Sequence, residues 1–555
     1  MQPDGIGYHV RNEMGGLWYH PLRVIRNIWL EREGKILRPR KCTLSPWSYS
    51  ADYGDIVLTA SLPEFDRFRI ELSGKGSTET ILAIDATPGK AWLSPDDIIP
   101  EITFTDRTVS FGLKGNSRGV EAHFPSGKFS MQDHFIYSKF SDQYFVDFLA
   151  APRKIQSKEN NATGKYYEMK AESSKLTSSN LEIDMRLYYA KANLLQLVSS
   201  VPGIGMGLTA GHPDFAWFFG IDSFLSIPGM MLSGMFEEAF ETLRTITRFS
   251  KNGRIPHEIV TNGVVYNEGD MEESALFPWA LIEYFLFSGD TRGLLEMESH
   301  LWKALRTVLE SDLMGRGIME DSGAGTGIDV DVVSFLAMSI RHILMAPDFI
   351  FENEFSIDPA TLKDIEKDLV QRLRKEFWMN ELGTFANRMV SGSPVYSGFW
   401  TSLIPFYGDL ASPQQYAKFI AGRGLRDISV NDEITVAPGG NSMPLNTGMM
   451  ALSSWNYGDF KTGLRFFSGL HRSFGRWSPL SFPEISNMDG GCYLQAWSAA
   501  IYVQCVLGGL LGIRRLGNRI TWRPESGSVI LGNKIMLSNF RFRGNLENLE
   551  FHPGE

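Results

Sequence analysis

The sequence predicts a mainly α protein: a ring of six helical hairpins, an (α/α)6 barrel, preceded by an antiparallel β-sandwich and followed by a short β tail. Three observations lead there. Over residues 1–185 apolar and polar side chains alternate in short runs, punctuated by Gly, Pro, Asn and Asp. From about Leu187 the apolar residues recur at the spacing of amphipathic helices. After Arg515 strand-like runs return. The expected domains are therefore 1–185, 186–515 and 516–555.

The N-terminal runs DIVLTASLP, FRIELSG, TETILAIDA, EITFTDRTVSFGLKG and VEAHFPSGKFSMQ have the length and spacing of sandwich strands. NNATGKYYEMKAESSKLTSSNLEIDMRLYYAK continues the alternation and is read as carrying the last strand. Beyond it, Met235, Phe236, Ala239, Phe240, Leu243, Ile246 and Phe249 lie on one helical face. Similar stretches fall at roughly 185–200, 222–234, 273–288, 293–310, 329–345, 359–377, 397–408, 412–423, 444–456, 458–470 and 493–512. With the first example these make about twelve helices, separated at 203–216, 253–271, 314–328 and 425–443 by long loops rich in Gly, Pro and Asn. A ring of six hairpins needs that number, and it buries an inner set of helices on all sides. The apolar helices at 222–234 and 493–512 suit such places. NRITWRPE, GSVILGN and KIMLSNFRFRG read as the strands of the tail.

Composition narrows the partners. The chain of 555 residues carries a net charge of −10 and has no dense basic run, which argues against nucleic acid. A neutral ligand such as a sugar fits better. No apolar span is long enough for a membrane helix, and MQPDGIGYHVRNEMGGLWYH lacks a signal pattern, so a cytoplasmic protein is expected. Cys42, Cys492 and Cys505 form no CxxC pair and no disulfide framework, and Cys492 and Cys505, on or beside the last apolar helix, are read as packing residues.

Four loops place acids and aromatics at helix entrances. In GHPDFAWFFGIDSF, Trp217, Phe218 and Asp222 precede an apolar helix; Asp222 is either a first-turn acid or an acceptor for a sugar hydroxyl. In GRIPHEIVTNGVVYNEGDMEES, Asp270, Glu272 and Glu273 exceed what one helix cap needs. GRGIMEDSGAGTGIDVD holds Glu320 and Asp321, then Asp329 and Asp331. Its spacing is not that of a calcium loop, and the chain has no HExxH, so neither a metal nor another cofactor is expected. SFPEISNMDGGCYLQAW carries Glu484, Gln495 and Trp497. Taken alone, Glu484 reads as a solvated loop acid. GxSxG and the phosphate-loop pattern GxxxxGK[ST] are absent. Carboxylate-pair chemistry remains, and glycoside hydrolysis needs little else.

Together these loops resemble the six-hairpin glycosidases, and most closely the amylo-α-1,6-glucosidase domain of glycogen-debranching enzymes, with glucoamylase-like and glucosidase-I-like relatives. The family's PWFxxxWGRD stretch looks like FAWFFGID, with Ile221 in place of the Arg. Its G-IPN and YN-x-x-D resemble GRIPHEI and YNEGD, which bring in His257 and Asp270 or Glu272. Its TWMD resembles GIMED, which makes Asp321 or Glu320 the general acid. Its PE-(L/I) ahead of QAW matches FPEI and LQAW, which makes Glu484 the general base. NTGMMAL and SGFWTSLIPFYGDLAS, with Trp400, look like barrel helices of the group. The resemblance implies an exo-acting, inverting α-glycosidase on an oligo- or polysaccharide. The expected sugar-binding residues are Trp217, Phe218, Asp222, His257, Asp270, Glu272, Trp400, Gln495 and Trp497. A sugar phosphorylase on the same fold and a catalytically silent carbohydrate-binding protein are the alternatives.

Overall fold

Period-two alternation builds the N-terminal region as two main antiparallel sheets beside a small third one of Leu17–Tyr19, Leu22–Ile25 and Gly89–Lys90. The computed structural model describes residues 16–20, 22–74, 80–90, 98–114, 116–124, 129–140, 143–151, 162–269, 271–311, 318–319, 326–488, 490–524 and 526–551. One sheet runs, neighbour by neighbour, through Pro100–Phe104, Thr108–Leu113, Asn116–His123, Tyr144–Ala151, Arg67–Gly74, Ile56–Glu64, Ser48–Asp52 and Lys41–Ser45. The other holds Phe129–Gln132, Phe135–Lys139, Thr80–Asp85, Asn27–Arg32 and Lys35–Ile36. Alternate residues such as Phe68, Ile70 and Leu72 turn inward and meet Leu30, Leu82, Ile84 and Ile136 of the other sheet in one core.

The stretch after these sheets departs from the expected strand. Ala162–Glu172 is a helix, α1, because ATGKYYEMKAE is rich in good helix formers and its alternation is short. Tyr166 donates to the Glu238 carboxylate, and Lys170 Nζ lies 2.8 Å from the same group, so α1 is pinned to the helical region. The strand that does occur, Lys175–Thr177, joins Ile535–Phe542 and Asn545–Phe551 in the C-terminal sheet. In that tail GSVILGN is a helical turn, Ser528–Leu531, instead of a strand; Leu531 is buried while Val529 is exposed.

The helical region contains α2 (Leu181–Leu197), α3 (Gly220–Leu232), α4 (Phe236–Thr247), α5 (Glu272–Ser288), α6 (Thr291–Glu310), α7 (Val330–Ile343) and α8 (Pro359–Arg372). It continues with α9 (Ile404–Tyr407), α10 (Pro413–Ala421), α11 (Arg423–Ile428), α12 (Pro444–Asn456), α13 (Phe460–Ser473) and α14 (Ala496–Val503). Neighbours close on themselves: α3 packs on α5, α5 on α7, α7 on α9, α9 on α12, α12 on α14, and α14 returns to α3. Every residue of α3 is buried, whereas α4, α6 and α13 bury one face and lie outside α3, α5 and α12. Gly229 makes the last closure: a Cβ there would stand 2.8 Å from the Ala500 Cβ.

Two helices differ from their expected spans. The 397–408 stretch yields only a 3-10 turn, Trp400–Leu403, and one α turn, because Pro405 brings no N–H and Gly408 ends it. The last apolar helix begins at Ala496, since Leu494–Gln495 pair as a strand with Gly211–His212, and it widens to a π-helix over Gln504–Leu510. Among the described residues no helix is long and apolar enough to cross a membrane.

Candidate active site

The N-terminal ends of α3, α5 and α14 bring together side chains far apart in sequence. Asp222, in the first turn of α3, is buried and accepts from Gln495 Nε2 at 2.9 Å. It is therefore not a cap: the residue at the helix entrance is Phe219, and the Asp222 carboxylate is turned to α14. Burial raises its pKa to about 8, with Glu484 and Glu258 adding to the rise and His257 opposing it. The raised pKa favours the protonated carboxyl at neutral pH.

Glu484 sits in a loop whose backbone folds back on itself. Its N–H donates to the Cys492 carbonyl at 2.8 Å, and the Cys492 N–H donates to Glu484 Oε2 at 3.0 Å. Gly491 lies between at φ +69°, where a Cβ would meet Glu484 Oε2 at 2.7 Å, so this position needs glycine for both reasons. The loop is tied to distant chain: Phe482 N–H donates to Asn193 Oδ1, Tyr493 N–H to the His212 carbonyl, and Ser486 Oγ to Glu433 Oε2. Burial pushes Glu484 up to about 7; the Cys492 N–H opposes this and the Asp214 carboxylate adds to it. The loop acid read from sequence as solvated is thus largely enclosed.

Behind α3 an aromatic wall stands on a short sheet. Trp217 and Phe219, stacked with centroids 6.0 Å apart, form with Phe215, Ala210 and Val260 a cluster separate from the main core. Trp217 Nε1 donates to Glu258 Oε2 at 3.0 Å. Phe218, the residue between them, faces the opposite way into the main core with no exposed surface. His257 meets the edge of Phe219, and its Nδ1 lies 2.5 Å from Glu273 Oε1 and 3.9 Å from Glu272 Oε1. Among the described residues, His257, Glu272 and Glu273 also form a group that could share a cation, their ligand atoms lying within 4.8 Å of one another.

Of the remaining expected residues two, Trp497 and Trp400, are described. Trp497, the second residue of α14, is half-buried, and its Nε1 is buried with no hydrogen-bond partner among the described residues. Trp400 is half-buried at the start of its 3-10 turn and packs on the main core. Asp270, Glu320 and Asp321 lie outside the described residues. Asp329 is engaged by Arg388, Nε to Oδ1 2.7 Å, and serves the fold. Two acids of the site were not singled out from the sequence. Asp214, held to about 6 by burial, bears on Glu484, and Glu258 carries the Trp217 indole. Glu258 had a signal available, since it is a lone acid in the apolar strand Glu258–Ile259, paired through Phe219 with the aromatic wall.

The fold is shared by carbohydrate-active enzymes. A protein described as a kojibiose phosphorylase, from human microbiome, superposes with a TM-score of 0.60 at 11% identity, over 96% of this chain and 85% of that one. An α-L-rhamnosidase from Dictyoglumus thermophilum gives 0.53 at 12% identity over 97% of this chain and 57% of that one. A sialidase gives 0.54 at 12% identity over 92% and 59%. More specifically, residues 192–378 match the family model of amylo-alpha-1,6-glucosidase. No curated protein matches the chain.

Proposed function

We propose that the protein is an exo-acting α-glycosidase that cleaves a terminal glycosidic bond with inversion, on an (α/α)6 barrel spanning about residues 186–515. The observation that carries this reading is the enclosure of Glu484 beside Asp214 and within the field of Asp222, at the entrance of the closed helix cycle. Glu484 is the general base: once ionised it takes a proton from water on one face of the sugar. The acid on the other face is Asp321 or Glu320, which gives its proton to the leaving oxygen. Asp222 and Glu258 engage hydroxyls of the terminal sugar, and Trp217 and Phe219 wall the ring. The family match over residues 192–378 supports the substrate class, an oligo- or polysaccharide.

The test is product analysis by NMR on a panel of α-1,4, α-1,6, α-1,3 and α-1,1 glucosides and mannosides, with and without phosphate. Initial release of the inverted sugar is expected, at a rate indifferent to phosphate. Retention of configuration refutes the acid–base assignment. Sugar 1-phosphate made only with phosphate present makes the protein a phosphorylase, and binding without turnover makes it a silent binder.

A further inference from the structure

The helix cycle is hollow at the end away from the candidate active site. There the C-terminal halves of its inner helices enclose a cavity of about 380 Å³, the size of a small-molecule pocket. Asp222, Glu273 and Gln495 stand at the opposite, N-terminal ends of the same helices. A packed core rarely keeps so large a void, and the helices are irregular around this one. Pro228 interrupts α3, α9 stops after one turn, and the last inner helix widens to a π-helix that brings Gln504 and Gly508 to the wall. Close packing does not demand the glycine at 508: a Cβ there would have ordinary contacts, with Arg514 Nη1 at 3.6 Å and Leu232 Cδ1 at 3.9 Å.

The lining has two characters. Leu232, Phe287, Met338, Leu452 and Ile513 make an apolar wall, and Arg341, Arg514 and Arg515 bring positive charge to the same space. Trp279 is 5% exposed and lines the cavity with an indole N–H that no group among the described residues accepts. Helix C-termini favour cations, and two of the arginines answer that demand. Arg514 donates to the Gly508 and Ile513 carbonyls and to Asn456 Oδ1. Arg341 donates to the Gly408 and Asp409 carbonyls at 3.3 Å and is paired with Glu366. The acid Glu283 lies 3.4 Å from His342 Nε2, and Asp409 is exposed, where water and salt screen its charge. Arg515 is left over: its Nε is buried with no hydrogen-bond partner among the described residues. A guanidinium withdrawn from water with its donors unmet is costly unless an acceptor reaches it.

We propose that this cavity binds a small organic monoanion, a carboxylate carried on an aromatic ring, with the carboxylate on Arg515 and the ring against the apolar wall beside Trp279. The combination of one unmatched guanidinium with an apolar, aromatic interior excludes a polyol, which would need a polar lining, and a purely apolar guest, which would leave Arg515 unmet. None of these residues takes part in the proposed glycoside hydrolysis, so the site stands whether or not that reading does.

The experiment is calorimetric titration of the full chain with benzoate and with naphthoate, each against its neutral amide of the same shape. At least one of the two carboxylates is expected to bind saturably at one equivalent, with its amide at least about 10-fold weaker. Arg515→Gln should weaken the carboxylate about 10–100-fold, down to the level of the amide, without loss of melting temperature, since Arg515 Nε gives up no hydrogen bond in the fold. Gly508→Leu puts a side chain into the space beside Leu232 and should exclude acid and amide alike. No saturable binding of either carboxylate, equal affinity for acid and amide, or binding that is unchanged in Arg515→Gln overturns the proposal. Where Gly508→Leu does not fold, the wild-type comparison and Arg515→Gln decide by the same criteria.

Discussion

Replacing Asp222 by Asn should stabilise the protein, and increasingly so as the pH rises. Burial holds the Asp222 carboxyl near 8 against 3.8 for the free group, a rise of about 4 units. Each unit corresponds to about 1.4 kcal/mol, so the ionised form is disfavoured in the fold by on the order of 5 kcal/mol. The unfolded chain ionises Asp222 from about pH 4, whereas the folded chain keeps its proton until about pH 8. Stability from this group is thus complete below pH 4 and is lost as the pH climbs through 8. Asn has nearly the same shape, still accepts from Gln495 Nε2, and never ionises. The assay is thermal unfolding of wild type and Asp222→Asn, comparing the difference in midpoint at about pH 5 and about pH 9. The advantage of the variant should widen by the equivalent of several kcal/mol, and taking the difference cancels the other titrating groups to first order. A constant difference, or one that shrinks with pH, would refute the claim that Asp222 is held protonated.

Further outcomes follow from the same geometry. Glu484→Gln should lower kcat by about 10²–10⁴-fold with no loss of melting temperature at neutral pH and above, since the amide still accepts the Cys492 N–H and carries no buried charge, measured by steady-state kinetics and calorimetry. Since Glu484 must be ionised to act and is raised to about 7, wild-type kcat/KM should climb with pH up to about 7, and this limb should vanish in Glu484→Gln. Gly491→Ala puts a methyl 2.7 Å from Glu484 Oε2 at φ +69° and should cut kcat; a loss of about 10²-fold is expected, with KM changed less. Arg388→Met takes the guanidinium from the buried Asp329 and should destabilise by about 3–5 kcal/mol in denaturant unfolding, with little effect where Asp329 is also changed to Leu.

Much of this architecture is written in periodicity. The buried helices α3 and α14 stand out as apolar almost all round, and the one-faced α4 and α13 follow from i, i+3 and i+4 spacing, because burial on all sides and on one side leave different patterns. Where the pattern fails, local chemistry decides: ATGKYYEMKAE forms α1 because its residues favour helix over a brief alternation, and Pro405 truncates α9. Within the site, Asp222, Glu484 and Gln495 were legible because each stands at the mouth of an apolar helix. Glu484's enclosure was not, since it depends on Cys492, Asp214 and Asn193, which lie at other points of the chain. The Glu273–His257 contact was equally hidden: the two residues are sixteen apart and meet only because a strand and a helix entrance are folded together.

The way the Glu484 loop is fastened bears on when the protein becomes active during its own synthesis. Asn193 receives the Phe482 N–H across 289 positions, and Asp222 receives the Gln495 amide across 273. The Asp222 half of the pocket therefore leaves the ribosome long before its partner exists, and α3 waits with a buried surface meant for α14. Until residues beyond Gln495 have emerged, the nascent chain presents apolar helices with no final neighbour, a state suited to chaperone binding and exposed to aggregation. On the proposed reading activity belongs only to a chain that has passed this point, and a ribosome stalled before residue 480 releases a helical product that lacks Glu484.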